Sequence, residues 1–305
     1  MGRYSRIFAL GRKIKRALRN QLENWAILRL TRRRRKELDE ILRRESASRG
    51  TTPEIVIFPP TVPWDIPLFQ RPHQLALAMA RRGCLVFFCE KPGNPSGGQG
   101  FRHVGPGLFV TDAPFEVFRQ ILSPLVLVLA YNRSYLALLK QPRVVYEYID
   151  ELEVLPGELQ ELKRSHEELA RTAHLAIATS ELLSIRQDAL LCPNGVDDRF
   201  ISQAIAATQQ PPDELSQFVV QGKPIIGYYG AMAKWLDYTL LMNVAAERPQ
   251  YQFILIGPDY DGSIYPSRVV EAGNILWLGP KPYPALPSYL KFFDAAIIPF
   301  KLNKV

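Results

Sequence analysis

The sequence predicts an α/β protein whose parallel sheets are built from alternating strands and helices. Apolar runs at residues 85–89 and 125–130 have the length and composition of buried parallel strands. Two later runs, at residues 224–229 and 251–256, each end at a glycine. Strand, glycine, helix and strand in succession is the one-dimensional pattern of a parallel α/β domain.

The composition is that of an ordinary globular chain, but the charge is unevenly distributed. The chain has 305 residues, of which 47% are hydrophobic and 22% charged, so it is long enough for two domains. The first fifty residues hold 16 of the 38 Lys and Arg residues but only five acidic residues. The rest is slightly acidic, which argues against nucleic-acid binding over the body of the protein. The three cysteines form no C-x-x-C pair, so neither a disulfide framework nor a zinc site is expected.

Residues 7 to about 45 are predicted to form one or two basic amphipathic helices. Ile7, Leu10, Ile14 and Leu18 are spaced by three or four residues and share a face, beside many Lys and Arg residues. Such a segment can lie on an anionic membrane, pack on the body of the protein or on a partner, or bind nucleic acid. The sequence leaves these three alternatives open.

The chain carries no recognisable signal for crossing a membrane. Its strongest apolar run, residues 125–130, is far shorter than the roughly 20 residues that span a bilayer. The charged N-terminus lacks the apolar core of a signal peptide. The sequence therefore predicts a cytoplasmic protein, which is peripheral on the inner face of the cytoplasmic membrane if the basic segment binds lipid.

Four segments are expected along the chain. They are a basic helical extension (1–50), a first α/β domain (51–205), a linker (206–222) and a second α/β domain (223–305). The linker is placed there because residues 204–222 are rich in Gln and Pro and poor in large apolar side chains.

A series of short motifs runs in order through both domains. It comprises Trp64-Asp65, Gln70-Arg71-Pro72-His73-Gln74-Leu75, Tyr148-Ile149-Asp150-Glu151, Thr179-Ser180, Pro193-Asn194-Gly195-Val196-Asp197, Gly227-Tyr228-Tyr229-Gly230, Leu255-Ile256-Gly257-Pro258 and Leu278-Gly279. Each motif alone is common, but the ordered series resembles the group 1 (family 4) glycosyltransferases of the GT-B fold. It is most similar to the bacterial branch that assembles cell-surface polysaccharides, including teichuronic-acid-type enzymes.

The resemblance implies two Rossmann-like domains facing a cleft, the first for an acceptor and the second for a nucleotide-sugar donor. The implied reaction moves a sugar to a polysaccharide or lipid-linked acceptor in cell-envelope biosynthesis, with no essential metal or other cofactor. The D-x-D at residues 259–261 is accordingly interpreted as a loop and not as a metal site. Expected partners are the donor, the glycan or lipid-linked acceptor and an anionic membrane surface through residues 1–50, with no nucleic acid.

The second domain is expected to be incomplete. The family's pattern continues past residue 305 with a Glu-x7-Glu element that contacts the donor. The sequence is then that of a C-terminally truncated enzyme. The alternative is a non-catalytic or split-enzyme binding module, in which a second chain supplies the missing C-terminal half.

The candidate residues of the first domain are Arg71, His73, Asp150 and Glu151. Arg71 and His73 lie where a loop meets a helix, and a helix N-terminus with cations suits a phosphate group. Asp150 and Glu151 follow the predicted strand 144–149, where a carboxylate can act as a base or orient hydroxyls, or simply start a turn. We predict catalytic roles for Asp150 and His73, and acceptor or phosphate binding for Arg71, His73 and Glu151.

The resemblance places donor binding at Asn194, Gly195, Gly230, Lys234 and Gly257. Gly230 matches the family's glycine that faces the donor diphosphate. Backbone N–H groups at this turn, together with the positive end of the next helix, would hold the phosphates. Family members often carry an Arg and a Lys after this glycine, whereas here Lys234 is the only nearby cation.

Overall fold

The computed structural model describes residues 28–92, 100–181, 189–206 and 210–302. The chain forms two compact units, residues 1–65 with 72–193, and residues 66–71 with 194–305. The end of the first domain predicted from the sequence lies instead at residue 205. The difference arises because Phe200 and Leu215, from two helices that precede the second sheet, are buried in a core of the second unit.

The first unit contains one eight-stranded sheet. Its helices and strands, in chain order, are α1 (28–49), β1 (Ile55–Phe58), α2 (Arg71–Arg81, of which Arg71 belongs to the second unit), β2 (Leu85–Cys89), β3 (Phe101–Gly105), β4 (Leu108–Thr111), β5 (Leu125–Val128), β6 (Arg143–Tyr148), α3 (Leu159–Thr172), β7 (Leu175–Ala178) and β8 (Leu190–Leu191). The strand order is β3-β4-β2-β1-β5-β6-β7-β8, and only β3 and β4 pair antiparallel. All five residues of β2 are buried, as a strand covered on both faces requires.

The antiparallel pair β3–β4 was not predicted from the sequence. β3 is a half-exposed edge strand without a clear apolar alternation, so its sequence carries little strand signal. Its pairing depends on β4, whose residues are all buried. The strand at this edge of the sheet is therefore determined by tertiary contacts and not by a local sequence signal.

Helix α1 packs on the first unit. Leu38 and Ile41 are buried in the larger core of that unit. Arg34 is also buried, and its guanidinium contacts the Glu37 carboxylate at 2.8 Å. Gln120 donates a hydrogen bond of 2.8 Å to Asp39. Of the three alternatives for the basic segment, packing on the body therefore applies to residues 28–49, and residues 7–27 lie outside the described residues.

The second unit is built around a four-stranded parallel sheet. Its helices and strands are α4 (Asp198–Ala206), α5 (Asp213–Val220), β9 (Ile225–Tyr229), α6 (Tyr238–Glu247), β10 (Gln252–Ile256), β11 (Ile275–Trp277), α7 (Leu286–Leu290) and β12 (Ala295–Ala296). The strand order is β11-β10-β9-β12. The two predicted strands that end at glycines are thus neighbours in one sheet. Among the described residues, no helix is both long enough and apolar enough to cross a bilayer.

Candidate functional site

Three strands of the second unit lead into glycine turns at one edge of the sheet. β9 is followed by Gly230, β10 by Gly257, and β11 leads to Gly279. The Gly230 N–H donates to the Ile256 carbonyl and the Gly257 N–H donates to the Gly279 carbonyl, both at 2.9 Å. These bonds hold the three turns together at the carboxyl end of the sheet, where parallel α/β sheets bind ligands.

Gly257 must be a glycine for the first two turns to approach this closely. A Cβ atom at Gly257 would overlap the backbone carbonyl of Gly230. Gly257 also has a φ of +147°, a conformation that residues with side chains rarely adopt. The Trp277 indole donates a 2.9 Å hydrogen bond to the Gly257 carbonyl and fixes the turn from the other side.

A cavity of about 140 Å³ lies at these turns, within the second unit. Phe69 and Tyr283 stack with their ring centroids 4.8 Å apart. The cavity is lined by Pro67, Leu68, Phe69, Tyr229, Gly230, Ile256, Gly257, Pro258, Lys281, Tyr283 and Leu286. The predicted donor-site glycines 230 and 257 are therefore both in the wall of one concave site.

Among the described residues that line this cavity, Lys281 is the one cation. Its Nζ lies 2.6 Å from the Glu214 carboxylate and 5.6 Å from the centroid of the Tyr289 ring. The Tyr289 hydroxyl donates to the other Glu214 oxygen at 3.1 Å. The hydrogen bond to Lys281 lowers the pKa of Glu214, and the same bond raises the pKa of Lys281. Both groups are therefore charged at neutral pH.

The sequence predicts that backbone N–H groups after Gly230 and the start of the next helix hold the donor phosphates, but in the structure these groups have other partners. The N–H groups of Gly230 and Met232 donate to the carbonyls of Ile256 and Pro258. The next helix, α6, begins only at Tyr238, and the Asp237 carboxylate caps it by accepting from the Leu240 N–H at 2.9 Å. An anion at this helix end would meet a carboxylate, so the helix start is not a phosphate site.

Lys234 is exposed and does not line the cavity. Its backbone N–H donates to Asp261 Oδ2 at 3.0 Å, and its carbonyl accepts from Lys301 Nζ at 2.7 Å. Asp261 also accepts from the Ser263 N–H, and its hydrogen bonds to Ser263 and Lys234 lower its pKa. The D-x-D segment is thus a loop that holds the turn at Lys234, as interpreted from the sequence.

Two predicted residues from distant parts of the chain meet in the second unit. The Arg71 guanidinium donates to Asn194 Oδ1 at 3.3 Å. Gly195 follows in an exposed stretch without regular secondary structure. Neither Asn194 nor Gly195 is among the described residues that line the cavity.

His73 is fully buried in the first unit. Its Nε2 bonds to the Pro63 carbonyl at 3.0 Å, and its ring stacks on Phe88 with centroids 5.3 Å apart. Trp64, which also packs against Phe88, donates its backbone N–H to Glu90 at 2.6 Å. In this conformation His73 has no accessible surface for a substrate, and its contacts hold the loop that follows β1.

Asp150 and Glu151 lie directly after β6 in the first unit, as predicted, and both are exposed. Partial desolvation raises the pKa of the Asp150 carboxyl. Glu151 accepts a 3.4 Å hydrogen bond from the Tyr148 hydroxyl. Burial raises the pKa of Tyr148, and the neighbouring Glu151 carboxylate raises it further. These carboxylates are available at the carboxyl edge of the first sheet.

Lys281, Glu214 and Phe69 were not predicted as site residues. A signal for Lys281 was present, because Leu278-Gly279 repeats the strand–glycine pattern just before it. Phe69 and Glu214 have no comparable signal. They reach the site only because residues 66–71 and helix α5 belong to the second unit.

Comparisons with known proteins agree with the motif series. No profile of a known protein family matches the chain. One curated protein of Bacillus subtilis, recorded as "Putative teichuronic acid biosynthesis glycosyltransferase TuaH", is 28% identical over 111 residues. The match covers 35% of this chain but only 26% of that protein, about a quarter of its length.

Solved structures resemble a much larger part of the chain. The Anabaena HepE structure in complex with UDP and glucose has a TM-score of 0.50 and 15% identity, over 79% of this chain and 72% of that one. An α,α-trehalose-phosphate synthase (UDP-forming) from Burkholderia vietnamiensis has a TM-score of 0.53 and 9% identity, over 79% and 75% of the two chains. The fold is that of GT-B glycosyltransferases. The resemblance stated from the motifs is thereby supported in sequence and in fold, whereas the arrangement of two domains about a cleft stays a prediction.

Proposed function

We propose that this protein transfers a sugar from a nucleotide-sugar donor to a polysaccharide or lipid-linked acceptor in cell-envelope biosynthesis. The observation that carries this proposal is the convergence of Gly230 and Gly257 on one cavity at the carboxyl edge of the second sheet. Two relatives add support, because TuaH is named for teichuronic acid biosynthesis and HepE was determined with UDP and glucose. The reaction is proposed to need no metal, so protein groups would stabilise the leaving diphosphate.

In this proposal the first unit binds the acceptor. Asp150 acts as the base, since its raised pKa makes it a better proton acceptor than an ordinary surface aspartate. Glu151 orients acceptor hydroxyl groups. Arg71, which belongs to the second unit, contributes a charge for a phosphate group. His73 is assigned to positioning the loop after β1 because it is buried.

The proposed function predicts that a nucleotide sugar stabilises the chain. A thermal-shift measurement with a panel of UDP- and GDP-sugars is expected to give a clear shift with a subset of donors. Ligand at 100 times its Kd adds about 2.7 kcal/mol of apparent stability. Transfer to polysaccharide and lipid-linked glycan acceptors would then be assayed with the donor that shifts most. Absence of any shift in a chain shown to be folded would contradict the proposed function.

The exposed face of α1 supports peripheral attachment to the inner face of the cytoplasmic membrane. Residues 34, 38, 41 and 45 of the helix face the first unit, and the opposite stripe carries Arg29, Arg32, Lys36 and Arg43, all exposed. Because Leu38 and Ile41 already pack in the core, this part of the helix would bind an anionic bilayer through charge and not by insertion. The alternative of nucleic-acid binding has no comparable support from the acidic body of the chain.

Removing this stripe is expected to weaken vesicle binding. The variant with Arg29, Arg32, Lys36 and Arg43 all changed to Gln should bind phosphatidylglycerol vesicles at least about tenfold more weakly, since each cation contributes about 1 kcal/mol near an anionic surface. Co-sedimentation at low and high salt measures the effect. Changing four exposed cations elsewhere in the first unit, Arg82, Arg119, Lys140 and Lys163, to Gln is the matched control. Equal loss in both variants, or no loss in the first, would contradict attachment through α1.

A second candidate function is a non-catalytic binding module whose second sheet is completed by another chain. The specific observation is the exposed strand β12 with an apolar groove of about 420 Å³ beside it, lined in part by Ile226, Leu240 and Ile297. Leu240 is 48% exposed and Ile298 76% exposed, and both line this groove. The donor panel separates the two functions, because a module without a complete donor site would bind no nucleotide sugar.

A further inference from the structure

Several backbone N–H groups at the glycine turns of the second unit are already used in hydrogen bonds within the protein. A nucleoside diphosphate at this site brings a concentrated negative charge, and such groups are usually held by free N–H groups, a helix N-terminus or cations. Here the N–H groups of Gly230, Met232 and Gly257 donate to protein carbonyls, and the Asp237 carboxylate caps α6. These three N–H groups are therefore not free to bind the phosphates, and a cationic side chain is a further way to meet the negative charge.

Lys281 is the side chain placed to meet it. It lines the same cavity as Gly230 and Gly257, and its side chain is 19% exposed. An ammonium group has three donors, and the contact with Glu214 occupies one of them. Lys234, the cation singled out by the sequence, is not among the described residues that line the cavity.

Glu214 and Tyr289 fix the direction of the lysine. Glu214 accepts from Lys281 through one oxygen and from the Tyr289 hydroxyl through the other, while the lysine also lies over the Tyr289 ring. A lysine held from two sides loses less side-chain freedom when it binds a ligand, which favours binding. Without the carboxylate, the flexible four-carbon side chain would occupy many rotamers.

We propose that Lys281, positioned by Glu214, binds the β-phosphate of the donor nucleotide. This inference rests on the proposed function, because it assigns a residue to the proposed donor site. In this chain the phosphate-binding cation therefore comes from the segment after β11, and not from the segment after β9 where the resemblance places it.

The test compares diphosphate and monophosphate binding by calorimetry. The Kd values of UDP and UMP, and of GDP and GMP, are measured for the unchanged chain, Lys281→Met and Lys281→Gln. The preference for the diphosphate is expected to fall at least about tenfold in both variants, the effect of losing a hydrogen bond to a charged group. Lys234→Met is the matched control and should keep the full preference. Glu214→Gln should reduce the preference by a smaller factor, since the ammonium group remains.

The outcomes distinguish the proposed role of Lys281 from the proposed function of the whole protein. If the unchanged chain binds a nucleoside diphosphate and the Lys281 variants keep the same preference for it, the role of Lys281 is refuted and the proposed function stands. Equal weakening of diphosphate and monophosphate in these variants also refutes it, because the lysine would then act on the cavity as a whole. If the folded, unchanged chain binds neither UDP nor GDP, the proposed function itself fails and this inference fails with it. Urea denaturation of each variant shows whether it is folded.

Discussion

Gly257→Ala is expected to destabilise the second unit by at least about 2 kcal/mol and to abolish nucleotide binding. The added methyl group would overlap the Gly230 carbonyl, which is backbone and cannot rotate away. The positive φ of Gly257 adds strain of about 1–3 kcal/mol for a residue with a side chain, and the crowding costs a similar amount. The two turns would have to separate, and they form the wall of the proposed donor site.

Urea denaturation followed by the fluorescence of Trp235 and Trp277, which both lie in the second unit, measures the effect on stability. Gly273→Ala is the matched control, because Gly273 has no neighbouring atom within 4 Å of an added Cβ and no restricting φ. That variant should unfold close to the midpoint of the unchanged chain. Similar midpoints for both variants would contradict the close approach of the glycine turns. Calorimetry with UDP gives the effect on binding independently.

Leu38→Ala is expected to lower the free energy of unfolding of the first unit by about 2–5 kcal/mol, the range for truncating a fully buried leucine. Leu38 has no exposed surface and belongs to the same core as Phe87 and Val126. The loss would show that α1 is part of the folded unit. A helix that lies on a bilayer through its apolar face would need Leu38 at the lipid surface instead.

Leu30→Ala is the control within the same helix, since Leu30 is 40% exposed. It makes the same chemical change, so any difference between the two variants reports burial and not helix propensity. Chemical denaturation without lipid is the measurement. An unchanged unfolding midpoint in Leu38→Ala would mean that α1 does not contribute to the core, and the electrostatic mode proposed for its exposed stripe would lose its basis.

Much of the fold could be predicted from the sequence. The strands β2, β9 and β10 appear at or within one residue of their predicted positions. These strands are covered on both faces, so nearly every residue in them is apolar and the signal is local. The edge strand β3 is half-exposed and gave no such signal. The predicted boundary at residue 205 separates Phe200 from Leu215, whereas both residues are buried in one core of the second unit, and this tertiary contact has no local sequence signal.

The candidate site was predictable only in part, for a related reason. Gly230 and Gly257 could be named because a glycine after an apolar run is a local pattern, and parallel strands bring their carboxyl ends to one edge. The burial of His73 could not be read from Gln70-Arg71-Pro72-His73, since it depends on Trp64 and Phe88 from other elements.

The sequence by itself determined the α/β class and the strands that end at glycines, because these depend on residues close together in the chain. It also determined the resemblance to glycosyltransferases, because that depends on the order of short motifs along the chain. Only the tertiary structure decided which cation lies beside those glycines. Lys234 is close to Gly230 in sequence but faces solvent, whereas Lys281 is distant in sequence and lines the cavity. The reason is topological, since β11 lies next to β10 in the sheet and brings the segment after Gly279 to the turn at Gly257.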